Sequence, residues 1–596
     1  MIGRALPFDP DALRAKYRRE RDKRLRPDGN AQYVEITGAL SGYLDDPCAP
    51  EVDRAPWRDD VEVAVIGGGL AGLVAGAHLK DAGIDDVRII EKGGDVGGTW
   101  YWNRYPGAQC DVESYVYLPL LEETGYIPSE KYARGPEILD HCRRIARHYR
   151  LYDGACLSTE VTAVEWDAAG SRWTIRTHRG DEMSARFLVM GSGPLHRPKL
   201  PGIAGIERFG GHAFHTSRWD YDYTGGDAHG DLHRLHDKRV GIIGTGATAV
   251  QVVPHLAEAA AQLYVFQRTP SSIDVRGNRP TDTTWAASLG PGWQRRRIEN
   301  FTTLTSGGLA HEDLVMDGWT DVIGRFLALI RDRDRSDPAA DMGSVLELAD
   351  FDKMEQIRAR VDAVVEDPVT AAALKPWYRQ FCKRPCFHDE YLQAFNRPNV
   401  TLVDTDGRGV DRVTEAGVAV GDREYELDCL IFATGFEVGT DHTRRAGYDV
   451  IGSRGFALSE HWSRGMRSMH GVCVHGFPNL FVLGHAQGGF TVNYPHLLDE
   501  AGRHVTHIVR HAVDHDVREV EVTAEAESEW LATLAAASRD VRAFQEQCTP
   551  GYYNNEGAPA EGGFLGSSYG KGPIAFFGVL ADWRAEGRFA GLDLRR

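Results

Sequence analysis

Charged and polar residues give way at VEVAVI, 61–66, to a short β-branched apolar run that ends on glycines. A run of this length and type predicts a strand buried on both faces. LAGLVAGAHLKDA, about 70–82, follows as a helical stretch, and VRII at 87–90 reads as the next strand. The three predict a βαβ unit. The pattern recurs in RVGIIG at 239–244, a helix near 247–260 and QLYVFQR at 262–268. Further strand candidates fall at 160–167, 172–178, 186–190, 400–404 and 428–433. Residues 292–375 read as mostly helical and carry no glycine fingerprint, which suggests a helical insertion.

The ends of the chain have a different texture. Residues 10–26, PDALRAKYRRERDKRLR, predict a charged helix. Its apolar positions, Leu13, Tyr17 and Leu25, are few, so a solvated helix clasping the main body is favoured over a membrane-surface or partner helix. Residues 546–596 include NNEGAPAEGGFLGSSYGKG and read as a glycine-rich loop and tail.

Both βαβ units carry a glycine loop between strand and helix. In the first, GGGLAG, Gly67 permits the tight turn, Gly69 admits a pyrophosphate and Gly72 lets helix and strand pack closely. Helix N-terminal amides then face the phosphates. Glu91, nineteen residues after Gly72, is placed to accept hydrogen bonds from a ribose diol. In the second loop, GTGATA, Gly244 and Gly246 keep the first two roles and Ala249 takes the third. Nineteen residues after Ala249 stands Arg268 instead of an acid. A guanidinium binds a 2′-phosphate that a carboxylate would repel, so the second site should prefer NADPH over NADH. The plainer alternative is an arginine capping a surface strand.

The fold class expected is therefore α/β, with two Rossmann-like dinucleotide-binding domains, for FAD and NADP, and a helical insertion. The boundaries predicted are an N-terminal extension over 1–59, the first part of the FAD-binding domain over 60–195, and an NADP-binding domain over 196–385 with its insertion at about 280–380. The second part of the FAD-binding domain follows over 386–545, then the glycine-rich loop and tail over 546–596. The strand exits LVMGSGPL, 188–195, and LIFATGFE, 430–437, with Gly435, resemble the returns of two-dinucleotide flavoproteins.

Charge and cysteine usage narrow the partners. A net charge of −18 argues against a nucleic-acid surface. No stretch approaches the roughly 20 apolar residues of a membrane span, and MIGRALPFDP has no apolar signal region. Nine scattered cysteines, with Cys382 and Cys386 the closest pair, lack zinc-site spacing. Free thiols in a reducing cytoplasm and no metal are the expectation. A disulfide reductase would carry a cysteine pair just after the first βαβ unit. GGTWYWNRYPGAQCD, 97–111, has only Cys110.

FGGHAFHTSRWD, 209–220, fills the pattern F-x-G-x-x-x-H-x-x-x-W-D with Phe209, Gly211, His215, Trp219 and Asp220. A second pattern, G-G-x-W-x-x-x-x-[FY]-P-G-x-x-x-D, is filled by Gly97, Gly98, Trp100, Tyr105, Pro106, Gly107 and Asp111. In this order, over roughly 60–545, the chain resembles the type I Baeyer–Villiger monooxygenases. The resemblance implies that NADPH reduces FAD, which with O₂ gives a C4a-peroxyflavin that converts a ketone to an ester or lactone. It implies that Arg384 lies over flavin and nicotinamide, that Asp111 pairs with it, and that Lys383 joins Arg268 on the 2′-phosphate. Cofactor contacts are implied for Ala71, Thr99, Trp100, Gln109, Tyr117 and Val161 on the flavin side, and for Thr245 and Thr269 on the nicotinamide side. The 209–220 stretch is implied to link the domains as a hinge, with His215 coupling NADPH binding to flavin chemistry. The length and N-terminal extension resemble the subgroup acting on bulky cyclic ketones, some of it serving terpenoid lactone pathways, pentalenolactone's among them. Pocket residues are expected in 436–442, 485–495 and the glycine-rich tail, and the chain as a monomer or weak homo-oligomer. The alternatives are a flavin monooxygenase oxidising sulfur or nitrogen, and a non-oxygenating NADPH–flavin reductase.

Overall fold

Strand Arg58–Ile66 lies one place in from the edge of a seven-stranded sheet. It pairs in parallel with Val87–Ile90 on one side and Glu182–Met190 on the other. Its second half, Val63–Ile66, is buried on both faces, as its unbroken apolar run requires. The computed structural model describes residues 7–49, 52–331, 342–484, 487–537, 542–559 and 568–596. Helix Leu70–Asp81 crosses one face of this sheet and is buried over nearly its whole surface. A helix apolar all round must be covered on both sides. Here the second cover is helix Tyr494–Asp514, whose Gly502 lies against Ala75.

The second glycine loop belongs to a five-stranded parallel sheet in the order Val400–Asp404, Gln262–Gln267, Arg239–Ile243, Cys429–Phe432, His212–His215. This corrects the expected boundary at 386. Strands 400–404 and 429–432 complete the sheet of the second loop, not that of the first. The first sheet resumes only at Val450–Ile451 and Leu480–Val482. Inside the 209–220 stretch, His212–His215 is an edge strand of this sheet. Four residues with histidine at each end carry too little apolar alternation to announce a strand.

Helices Trp293–Thr305, Gly318–Arg331, Met342–Val364 and Pro368–Leu374 form the expected insertion. The N-terminal helix Pro10–Asp22, capped by Asp9, clasps it. Tyr17 packs edge-on against Phe351 at 5.4 Å and accepts a hydrogen bond from Arg358.

Two expectations fail at the C-terminal end. The tail is not only loop: helix Pro573–Glu586 buries Phe576 and Leu580 in the first core, and Leu592–Arg595 pairs antiparallel with Glu519–Val522. Residues 560–567 of the glycine-rich stretch lie outside the described residues. Nor are all thiols free, for Cys382 and Cys548 form a disulfide. Partners 166 residues apart leave no spacing signature. Among the described residues no helix is long and apolar enough to cross a membrane.

The two glycine loops differ in what surrounds them. A Cβ on Gly72 would lie 2.0 Å from the Gly67 carbonyl oxygen, whereas one on Gly246 would meet nothing within 4 Å. Gly72→Ala is therefore expected to cost about 2–3 kcal/mol in thermal or denaturant unfolding, because backbone cannot yield. Gly246→Ala should stay within about 1 kcal/mol of the parent in the same assay, yet lose dinucleotide binding, since its open space faces the expected pyrophosphate.

Candidate active site

The first glycine loop opens on a cleft. Gly67, Gly69, Ala71, Glu91, Thr99, Trp100, Tyr117 and Val161 line it, as do Gly191 and Ser192 of the returning strand. Gly72 sits behind the wall, against Gly67, where helix and strand meet. The Glu91 carboxylate accepts from the Gly68 amide at 2.6 Å and the Gly93 amide at 2.7 Å. Burial raises its pKa, while these two amides pull it the other way. The anion is thus fixed at the strand end, where a ribose would lie. Trp100 donates its indole N–H to the Tyr117 hydroxyl at 3.1 Å, which orients both rings. A nucleotide suits this cleft by its glycine floor and its held carboxylate.

The sequence reading missed a basic cluster on the same cleft. Lys92 and His196 share a 2.7 Å hydrogen bond. Burial pushes Lys92 down to about 8, with Arg218 adding to the fall. Arg218 stacks 3.9 Å above Trp102 and donates to the His196 carbonyl. Its only sequence signal is its place inside the F-x-G motif.

In the second loop Gly244 turns with φ +115°, and helix Ala247–Ala259 starts after Gly246. Thr245 donates to the Thr269 carbonyl at 2.7 Å and so ties the loop to the end of the neighbouring strand. Ala249 is fully buried in that packing. Arg268 projects from the same strand end. Its guanidinium donates to Gln32 at 2.6 Å and pairs with Glu556 at 3.3 Å. Arg24 holds the backbone beneath it through the Arg268 carbonyl and the Thr269 hydroxyl. The N-terminal extension, read from the sequence only as a helix clasping the main body, thus buttresses this site. Burial lowers Lys383 to about 8; Arg268 adds to the fall and Glu556 opposes it.

Between the two loops lies the ion pair expected of Arg384 and Asp111. Arg384 donates to both carboxylate oxygens, Nη2 to Oδ1 at 2.5 Å and Nε to Oδ2 at 3.2 Å. Asp111 is nearly buried and Arg384 about one-third exposed. Burial works against the Arg384 cation, but Asp111 more than restores it, so its pKa stands well above the ordinary value. Trp319 of the insertion packs beneath the guanidinium at 5.5 Å and donates to the Asp111 carbonyl. Gln109 is held away from the cleft wall by Gln251, which donates to its carbonyl, and by a hydrogen bond from Arg276. Arg276, also unforeseen, is a second buried cation facing Asp111.

The motif residues form a scaffold. Phe209, partly buried, packs against the core of the second sheet and Gly211 approaches the Asp428 carbonyl. Trp219 donates to Thr224, and Asp220 caps the following turn and pairs with His212 at 2.9 Å. His215 is fully buried. Burial, then Arg218, lowers it to about 3, so it stays neutral at any working pH.

Residues 64–285 match the family model described as pyridine nucleotide-disulphide oxidoreductase. The chain is 55% identical over 590 residues to neopentalenolactone D synthase of Streptomyces avermitilis, covering 98% of this chain and 99% of that protein. It is 51% identical to a Baeyer–Villiger monooxygenase of Stachybotrys chlorohalonatus, covering 99% and 95%. The fold matches the solved polycyclic ketone monooxygenase of Thermothelomyces thermophila at a TM-score of 0.90, with 39% identity and 98% of each chain covered.

Lys383 gives a signed test. It is cationic below about 8 and neutral above. On the expectation that Lys383 meets the 2′-phosphate, the bound phosphate raises that pKa, so affinity should be complete below about 8 and lost as pH climbs through it. NADP⁺ binding, followed by titration calorimetry, should weaken about tenfold between pH 7 and 9, the worth of one charged contact. NAD⁺ binding should stay level.

Proposed function

The chain belongs to the Baeyer–Villiger monooxygenase family, and on that premise we propose that it converts a bulky polycyclic ketone, of the sesquiterpenoid kind, to a lactone at Arg384. It is an oxidoreductase that uses FAD and NADPH and inserts one oxygen of O₂ beside a ketone carbonyl. Neither sulfur or nitrogen oxidation nor a non-oxygenating reductase is favoured by its relatives.

The observation that carries the site reading is the two-pronged Arg384–Asp111 pair. Bound FAD, reduced by NADPH, supplies the activation of O₂ and the oxygen transfer. Arg384 supplies a fixed cation where negative charge gathers on the reacting oxygens. Asp111 orients that cation and balances it. An arginine suits this place better than a lysine because it does not give up its proton at working pH. Trp319 and the buried Cys110 and Cys386 surround the pair with apolar material that excludes water. Arg268 and Lys383 take the 2′-phosphate. Glu91 takes the ribose of FAD.

The 209–220 stretch acts as the hinge. Its support is Arg218, rooted in the second sheet's edge and stacked on Trp102 of the first loop's segment. His215 serves as a neutral buried strut at that joint.

The substrate reading rests on the relatives, one named for neopentalenolactone D and one for polycyclic ketones. The expected lining segment 436–442 is described, whereas 485–486 and 560–567 lie outside the described residues.

Arg384→Ala is expected to let NADPH reduce the flavin near the parental rate, while lactone formation falls about 100-fold or more. Stopped-flow absorbance and product mass spectrometry separate the two, and lactone at near-parental rate refutes the role. The parent enzyme should prefer polycyclic ketones to cyclohexanone by at least about tenfold in kcat/KM, a margin of about 1.4 kcal/mol in transition-state binding.

A further inference from the structure

Arg268 already has an anionic partner, and it comes from the far end of the chain. Glu556 sits on the turn Tyr552–Gly557, nearly buried, with its carboxylate on Arg268 at 3.3 Å. Tyr33 donates to the other carboxylate oxygen at 3.1 Å. Both Asn555 and Glu556 hold left-handed backbone, φ +51° and +56°, which non-glycine residues seldom adopt. Asn30 and Asn555 bind each other across the same spot, and Lys199 lies 3.7 Å over the Tyr33 ring. Burial lowers the pKa values of Lys199 and Lys383, and Glu556 opposes that fall in both.

The charges do not balance. Lys199, Arg268 and Lys383 face Glu556, and the other carboxylate near Lys199, Glu437, is already paired with Arg444 at 2.8 Å, a surplus of positive charge that suits a phosphate dianion. A carboxylate and a phosphate cannot share the Arg268 fork, because like charges at that range repel. We infer that Glu556 is a coenzyme-specificity residue: its carboxylate occupies the 2′-phosphate subsite of the free enzyme and is exchanged for that phosphate when NADPH binds. This rests on Arg268 as the 2′-phosphate residue. The exchange is local. Asn554 holds its turn to Gln545, Cys548 and Thr549, and Cys548 is bonded to Cys382, next to Lys383.

Glu556→Gln keeps the shape and removes the competing charge. NADP⁺ and 2′-AMP should then bind about five- to tenfold more tightly to the FAD-loaded enzyme by titration calorimetry, the range of one charged contact. NAD⁺ and 5′-AMP should change less than about twofold. Tyr33→Phe, which frees one carboxylate oxygen, should shift NADP⁺ the same way by a smaller factor and serves if the first variant folds poorly. Unchanged or weaker NADP⁺ binding in both variants overturns the inference, as does an equal gain for NAD⁺. Arg268→Ala separates the two levels. Equal losses for NADP⁺ and NAD⁺ overturn the parent reading itself. A loss confined to NADP⁺, with no gain from Glu556→Gln, overturns only the role of Glu556.

Discussion

A guanidinium held by a carboxylate 273 residues away is the constraint around which the rest of the molecule is arranged. A partly desolvated Arg384 is tolerable only if Asp111 stays within reach, and Asp111 belongs to the segment that follows the first glycine loop. Arg384 arrives from the end of the insertion, beyond the second. The pair therefore fixes the distance between two nucleotide sheets as much as it furnishes a charge. Trp319 and Arg276 serve the same end: Trp319 donates to the Asp111 carbonyl, and the buried Arg276, tied to Gln109, adds a second positive charge near the carboxylate.

Much of the architecture could be read from apolar runs, because parallel strands buried on both faces write themselves as unbroken β-branched stretches. VEVAVI, VRII and RVGII each lie within observed strands. What could not be read was which strand joins which sheet. CLIF at 429–432 is as buried as VAVI, and nothing in its composition says that its neighbour is His212–His215. The glycine loops were legible for a different reason. Their turns need backbone that only glycine adopts readily, and so chemistry and sequence coincide.

Residues that act through long-range contacts were invisible in advance. Arg276 and Arg218 are ordinary arginines until the fold buries them. Gln32, Tyr33 and Glu556 meet at Arg268 from opposite ends of the chain. The tail misled by its glycines, which masked a helix whose Phe576 and Leu580 are core residues. Cys382 and Cys548 misled by their separation.

The interleaving of the two sheets bears on how the chain is made. The core beneath the first glycine loop draws on residues from Val63 to Phe589. A polypeptide emerging from the ribosome thus exposes an unfinished parallel sheet while the insertion and the second sheet are synthesised. The helix that covers Leu70–Asp81 is among the late arrivals, at Tyr494–Asp514. Helix Pro573–Glu586 joins the same core later still. Flavin capture then waits on segments far from the glycine loop in sequence, and loss of helix Pro573–Glu586 leaves the first core open to chaperones and proteases, not a smaller working enzyme.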